Sequence, residues 1–507
     1  MALQKIEVEP VYPPPAYTLV DTYHTQNSPS VHTDYSDKTH LHEQSHFVQR
    51  KIPWEYTNTR YHDTLFIFVL GGILCVFVTV SNDCLSYLYE LNKGNLNLLS
   101  FKYAIDNDIR NNYYSIGLFF GISLSICLIL GILQLIGLVF FYRIFITCIF
   151  VLSTFTFTSL AVYFYYQFQY VLCGATLAIM MGFYLLITIL YNKVAFSVEI
   201  VKIGSRIIKS NITIWLIYLA MFVINSIGML VYSIIVYAAY LKWKEESDLN
   251  IRYGMWMIVV FCGYYFNEVF TNSFHVIIGS ICAKWYYESN VKDITVIHNT
   301  FSKCFGSICF GSLFASIVSL LKDIILLSKP NDKIMKYPFV KLLWRLFEML
   351  VLLINYTVQY FNEYAFAYMS IHSKNYMKSS YKMYKMYNTK GLSTLVSESI
   401  IKLVLKIYTV FVSILTSTVV YCIIQQLKQP PHSLIIGDSL QWYIIVASGI
   451  FAMQICRMIT TMINAFVHVF FVCLIENQDI LQWTHPREYL AIAKYLPSSR
   501  HRHNTIK

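Results

Sequence analysis

Polar side chains recur inside three long apolar stretches of the chain, near 253–279, 346–369 and 440–474. In each stretch their spacing of three, four or seven residues places them on one face of a helix. In chain order they are Glu268, Asn272 and His275; then Asn355, Gln359, Asn362 and Glu363; then Gln454, Arg457, Thr461, Asn464 and His468. Polar groups are costly inside a membrane and usually face protein or water, so the three stripes predict a solute path.

Each of these side chains also has a simpler interpretation, which stays open. Buried amides often join helices, contributing about 0.6 kcal/mol each. The side chains of Glu268 and Arg457 could neutralise one another. His275 could be a hydrogen-bonded core residue or part of a proton relay.

Aromatic residues accompany two of the stripes. Tyr265 precedes Glu268 by less than one helical turn, and Tyr356 and Tyr360 flank the polar stripe of the second stretch. Aromatic faces beside a carboxylate suit a quaternary ammonium such as choline, through cation–π contacts. Most of the 41 tyrosines are more simply explained as belts at the membrane interface.

The elements that must position these residues are membrane-spanning helices. Of the 507 residues, 56% are apolar and only 13% are charged, against about 25% in soluble proteins. This composition argues against a soluble enzyme, a nucleic-acid-binding protein and a disordered scaffold. Apolar runs long enough, or nearly so, to cross a bilayer lie near 64–80, 114–138, 144–166, 170–190, 212–240, 253–279, 305–327, 346–369, 399–424 and 440–474. The predicted fold is therefore all-α, a polytopic membrane helix bundle of about ten transmembrane helices over residues 61–475.

Ten spans place both termini on the same side of the membrane. Basic residues before the first span and after the last favour the cytoplasm for both. Residues 1–60 are predicted to be a disordered cytoplasmic tail, and residues 476–507 a basic cytoplasmic tail. The net charge of +11 then points to an anionic membrane surface as a partner, with no nucleic acid. The lysine-rich stretch 374–390 predicts an amphipathic helix on the inner membrane surface, or else a solvated connecting helix.

The predicted N-terminal tail contains a PPxY pattern, formed by Pro14, Pro15 and Tyr17. Proline-rich segments prefer the extended polyproline II form, which WW domains bind in an aromatic groove. The pattern therefore indicates either a stiff linker or a docking motif for a WW-domain ubiquitin ligase.

A peptide carrying this motif is expected to retain a purified WW domain in a pull-down. The Tyr17→Ala peptide should lose that binding, because the tyrosine ring fills part of the groove. Equal capture by both peptides would favour the stiff-linker interpretation.

Cysteine usage and the absence of short catalytic motifs exclude several kinds of site. The twelve cysteines form no CxxC pair and mostly lie inside apolar runs; Cys84 alone falls in a long polar connection. The sequence contains no HExxH, GxSxG or GxxxxGK[ST] motif. We therefore expect no metal, no cofactor and no ATP-driven pump of the P-loop type.

Four segments resemble the choline transporter-like family, and most closely its fungal branch, the pH-nine-sensitive proteins. They are YFNEVFTNSFHVIIGSICAKWY at 265–286, FGSICFGSL at 305–313, FNEYAFAY at 361–368 and VCLIEN at 472–477. The resemblance extends over roughly residues 60–490 and is carried by the order of the motifs. It implies ten spans, cytoplasmic termini and solute transport at the plasma membrane, with choline and ethanolamine as substrates of animal relatives.

The chain departs from the family pattern at several positions. Tyr265 stands where the family commonly has Trp, and Ser373 where it has Gly. His468 stands where an acidic residue is frequent, and the pair at 397–398 is Ser-Glu where Asn-Asp is expected. If the aromatic and acidic positions bind a cation, this chain binds choline weakly or prefers another solute.

The resulting hypothesis is a transporter of choline or a related small organic cation, and not an enzyme. Its path lies among the sixth, eighth and tenth spans, with Glu268 supplying charge and Tyr265 and Tyr360 supplying aromatic faces. Two alternatives remain. One is a membrane-embedded acyltransferase with His275 or His468 as base. The other is a non-transporting membrane organiser that recruits a ubiquitin ligase.

Overall fold

The computed structural model describes residues 52–53, 61–94, most of 121–166, 168, 170–189, 191–244, 248–327, 338–390, 393–428, 438–493 and 495. All the regular elements in these ranges are α-helices. They are α1 (Leu65–Gly94), α2 (Gly121–Gln134), α3 (Tyr142–Tyr166), α4 (Tyr170–Ile189), α5 (Tyr191–Ser210), α6 (Ile212–Lys244), α7 (Leu249–Tyr287), α8 (Asp293–Leu327), α9 (Pro338–His372), α10 (Tyr376–Lys390), α11 (Ser393–Lys428), α12 (Asp438–Glu476), α13 (Gln478–Thr484) and α14 (Pro486–Ala493).

The all-α membrane fold is confirmed. Within the described residues, each predicted apolar run overlaps one helix, and five of these helices are long and apolar enough to cross a bilayer. These five are α1, α6, α8, α11 and α12. Helices α7 and α9, which carry two of the polar stripes, are not among them. The number of ten spans stays a prediction.

Large apolar side chains cover much of the outer surface of the bundle. Exposed residues on α9, for example, include Leu342, Leu353 and Met349, the last 62% exposed. A soluble protein rarely leaves so much contiguous apolar surface uncovered. In a bilayer the same surface faces lipid chains, and the helices satisfy their own backbone hydrogen bonds.

Helix α12 lies at the centre of the bundle. From Met458 to Leu474 every residue except Asn464 is buried. It packs against α7, α9 and α11 along its length, and also contacts α5 and α6. The long apolar run at 440–474 is therefore one continuous helix, surrounded by the helices that carry the other polar stripes.

Helix α1 is longer than predicted at its C-terminal end. The apolar run was expected to stop near residue 80, but the helix continues to Gly94. Cys84 thus lies within a helix and is fully buried, which corrects its assignment to a polar connection. The extension is stabilised by tertiary packing, since Cys84 belongs to a buried cluster with Ala238 and Trp243 of α6.

The segment before α1 is fixed against α8. The backbone N–H of His62 donates to the carbonyl of Lys303 at 3.1 Å. The Asp63 carboxylate accepts a hydrogen bond of 2.5 Å from the Ser307 hydroxyl. Gly306 makes this approach possible, because a Cβ there would overlap the carbonyls of His62 and Asp63.

The described residues include part of the predicted C-terminal tail but not the PPxY motif of the N-terminal one. The PPxY residues Pro14, Pro15 and Tyr17 lie outside the described residues. The predicted C-terminal tail begins with α13 and α14, which pack back on the bundle. The Tyr286 hydroxyl donates to the carbonyl of Asn477 at 3.0 Å, and Arg206 of α5 pairs with Glu488 at 2.5 Å.

Candidate functional site

The acidic residue of the first stripe is paired with the basic residue of the third. The Arg457 Nη2 group on α12 donates to Glu268 Oε1 on α7 at 2.8 Å. Asn272, one turn further along α7, donates to Glu268 Oε2 at 3.4 Å and to Ser312 Oγ on α8 at 2.9 Å. The Glu268 side chain is only 7% exposed. Its charge is therefore neutralised within the protein, by the partner that the sequence had suggested as an alternative.

A second polar chain crosses the bundle between the same helices. His275 Nε2 of α7 lies 2.9 Å from His468 Nδ1 of α12. The other ring nitrogen of His468 lies 3.6 Å from Glu363 Oε2 of α9. The Glu363 carboxylate in turn accepts a hydrogen bond from Lys402 Nζ of α11. Four helices thus meet around one carboxylate and two histidines.

The Lys402 ammonium also lies over aromatic rings. Its Nζ is 4.9 Å from the centre of the Tyr360 ring and 5.8 Å from that of Tyr364. Both distances are within the range of a cation–π interaction. The aromatic face predicted for an organic cation at Tyr360 therefore faces a cation that belongs to the protein.

The remaining amides of α9 contact α8. The Ser319 hydroxyl donates to Asn355 Oδ1 at 3.3 Å, and Gln359 Nε2 donates to Ser319 Oγ at 3.2 Å. Ser312 and Ser319 are seven residues apart, so they lie on one face of α8. The amides of α7 and α9 therefore meet the same serine stripe.

Tyr265 is enclosed by protein. It is fully buried, and its hydroxyl donates to the Cys309 carbonyl of α8 at 3.3 Å. The rings of Phe261 and Phe266 lie 6.2 Å from its ring. Its predicted role as an aromatic face toward a solute stays a prediction.

Two predicted amides carry buried oxygen atoms with no hydrogen-bond partner among the described residues. They are Asn362 Oδ1 on α9 and Asn464 Oδ1 on α12. Asn362 is 1% exposed. A buried carbonyl oxygen without a partner costs free energy that a bound polar ligand or a water molecule can recover.

The two acidic residues differ in how far they are open to solvent. The side chain of Glu363 is 34% exposed, although it contacts Lys402, whereas that of Glu268 is 7% exposed. A carboxylate must be reached from solution before it can bind a solute cation. Of the two acids, Glu363 is therefore the better placed.

The sequence interpretation missed Lys402 and the serines of α8. Lys402 is the fourth residue of the apolar run that begins near 399, and a lysine in such a position is itself a signal of a functional or paired charge. Ser312 and Ser319 gave no comparable signal, because serine is common in membrane helices.

A comparison with known protein families identifies the chain more closely. The family model described as "Plasma-membrane choline transporter" matches residues 174–479. This range contains every polar residue of the site described above.

Fungal relatives named "Protein PNS1" are also similar to this chain. The protein of Eremothecium gossypii is 25% identical over 327 residues, covering 60% of this chain and 59% of its own length. That of Candida albicans is 26% identical over 328 residues, covering 59% and 62%. That of Saccharomyces cerevisiae is 23% identical over 332 residues, covering 60% of each. The chain thus spans about 60% of the length of these relatives, and together with the family match they show that it belongs to the choline transporter-like family, in the fungal PNS1 branch.

Proposed function

We propose that the protein carries a small organic cation, choline or a related ammonium compound, across the plasma membrane. The observation that carries this proposal is the position of Lys402. Its ammonium group contacts a carboxylate and two tyrosine faces, which are the groups that recognise an organic cation. A site that holds one ammonium group has the chemistry to hold another.

Transport in this proposal is an exchange between Lys402 and the solute. Glu363 carries one negative charge and neutralises one cation at a time. An arriving solute cation takes the carboxylate and the face of Tyr360 while the flexible lysine side chain moves aside. When the solute leaves, Lys402 returns, so the carboxylate is not left without a cation in the membrane.

The other predicted residues have supporting roles in this proposal. Glu268 and Arg457 hold α7 against α12, while Asn272, Asn355 and Gln359 hold both α7 and α9 against α8. The unpartnered oxygens of Asn362 and Asn464 offer polar contacts along the path. Rocking of these helices about α12 would open the site to each side of the membrane in turn.

The location and orientation remain those predicted from the sequence. The family description places related transporters at the plasma membrane. Basic residues at both ends of the chain support cytoplasmic termini.

The alternatives have less support. An acyltransferase would use His275 or His468 as a free base, but the rings of these two residues are hydrogen-bonded to one another. The organiser hypothesis depends on Pro14, Pro15 and Tyr17, and it remains compatible with transport by the helical part.

Replacing Lys402 with glutamine should strengthen the binding of the solute cation. The substitution removes the internal competitor for Glu363, so the half-saturation concentration for uptake of labelled choline should fall about tenfold, or about 1.4 kcal/mol. Uptake is measured in cells that lack other choline carriers. Glu363→Gln, which removes the counter-charge, should abolish saturable uptake.

Lys406→Gln is the matched control. Lys406 lies one turn further along α11, is exposed and faces Tyr356 at 5.9 Å. The Lys406→Gln variant loses the same charge as Lys402→Gln, and it should leave the half-saturation concentration for choline uptake unchanged. An identical fall of the half-saturation concentration in both variants would show a general charge effect. The absence of cation uptake by the parent protein would contradict the proposal.

A further inference from the structure

Helix α10 has one face that packs on the bundle. Its buried residues recur every three or four positions, the spacing of a single helical face. They are Tyr376, Ser379, Met383 and Met386. The Tyr376 ring lies 5.3 Å from that of Phe310 on α8 and 5.8 Å from that of Phe366 on α9. This face accounts for the attachment of α10 but leaves most of its circumference uncovered.

The uncovered part is divided into two stripes. Met377, Tyr381 and Tyr384 are 61%, 69% and 54% exposed and form an apolar stripe. Lysines form the second stripe, at positions 378, 382 and 385, all of them exposed, and the exposed Lys374 lies two residues before the helix begins. Three of the lysines directly follow a member of the apolar stripe, so the two stripes lie about 100° apart.

The surroundings hold α10 close to the ends of membrane helices. Three residues separate it from α9, and two separate it from α11. The Asp63 carboxylate accepts a hydrogen bond of 3.4 Å from the backbone N–H of Tyr376, the first residue of the helix. Connections this short would keep α10 near a bilayer surface if α9 and α11 cross the membrane.

We infer that α10 is a binding surface for anionic phospholipids, distinct from the solute path. Its apolar stripe would enter the headgroup boundary, and its lysine stripe would contact lipid phosphates and carboxylates. Residues 373–390 contain no Asp or Glu, so the charge is uniformly positive. The large exposed tyrosines and the short connections to spans favour a bilayer over an acidic protein, and the inner leaflet is the anionic one.

Retention of phosphatidylserine by the purified full-length protein tests this inference. Native mass spectrometry compares binding of phosphatidylserine and phosphatidylcholine from detergent solution. Lys378→Gln with Lys382→Gln should weaken the retention of phosphatidylserine by about fivefold for each lysine removed. Lys378→Arg with Lys382→Arg should retain it, and Met377→Ser with Tyr381→Ser should lower the retention of both lipids.

Two controls make the result specific. Lys292→Gln with Lys341→Gln removes the same charge from exposed positions elsewhere and should not change retention. Soluble glycerophosphoserine should compete weakly, because it lacks the acyl chains that the apolar stripe contacts. The inference is overturned if the α10 variant retains phosphatidylserine like the parent, if the control pair loses as much, or if the soluble headgroup competes as well as the lipid does.

Discussion

Replacing Arg457 with methionine should lower the free energy of unfolding by about 3–5 kcal/mol, the usual cost of leaving a buried ion without its partner. Glu268, whose side chain is 7% exposed in the intact pair, would keep Asn272 as its one hydrogen-bond donor among the described residues. The loss can be measured by titrating the purified protein with a denaturing detergent while following helical circular dichroism.

A double substitution separates charge from packing in this experiment. Glu268→Gln with Arg457→Met removes both charges and keeps side chains of similar size, so it should recover most of the stability. If the double variant is as unstable as Arg457→Met alone, the arginine acts through its packing and not through the ion pair.

Replacing Gly306 with alanine should separate the start of α1 from α8. The added methyl group would overlap the backbone carbonyls of His62 and Asp63, which cannot move aside like the end of a flexible side chain. We expect a loss of about 1–3 kcal/mol, as for overpacked cores. The same unfolding titration measures it, and limited proteolysis before residue 65 should become faster.

Gly254→Ala is the matched control, because nothing lies within 4 Å of a Cβ at that position in α7. Alanine favours the helix over glycine by up to about 1 kcal/mol, so this variant should be neutral or slightly more stable. Equal destabilisation by the two substitutions would contradict the steric argument.

The sequence predicted which polar side chains share a helical face, but not which of these faces contact one another. The polar stripes of the sixth, eighth and tenth apolar runs do meet in the structure: Glu268 pairs with Arg457, and His468 contacts both His275 and Glu363. Helical periodicity shows which side chains share a face, and the cost of polar groups in lipid turns that face inward. Order along the chain does not show which faces will meet.

The site of the solute cation changed most between sequence and structure. The sequence favoured Glu268, because a lone acid inside an apolar run is conspicuous. The structure gives that acid a close arginine, and it gives Glu363 a lysine with tyrosine rings around it. The contact of Glu363 with Lys402 depends on how α9 and α11 pack together, and no local sequence pattern predicts that packing.

Local patterns also misplaced the end of α1. The segment after residue 80 contains Asp83, Glu90 and several other polar residues, so it was interpreted as a connection. Packing against α6 overrides this preference, and Lys242 of α6 pairs with Asp83. The motifs that carry the resemblance to known transporters begin at residue 265, so they could not correct the end of α1.

The serine stripe of α8 affects how the neighbouring helices can move. Ser312, Ser316 and Ser319 repeat at about one-turn intervals, and a hydroxyl group can act as donor or acceptor. An amide of α7 or α9 that leaves one serine during a shift of one turn, about 5.4 Å, meets another. A repeating stripe of hydroxyl groups would therefore let α7 and α9 shift against α8 while their amides keep hydrogen-bond partners inside the membrane.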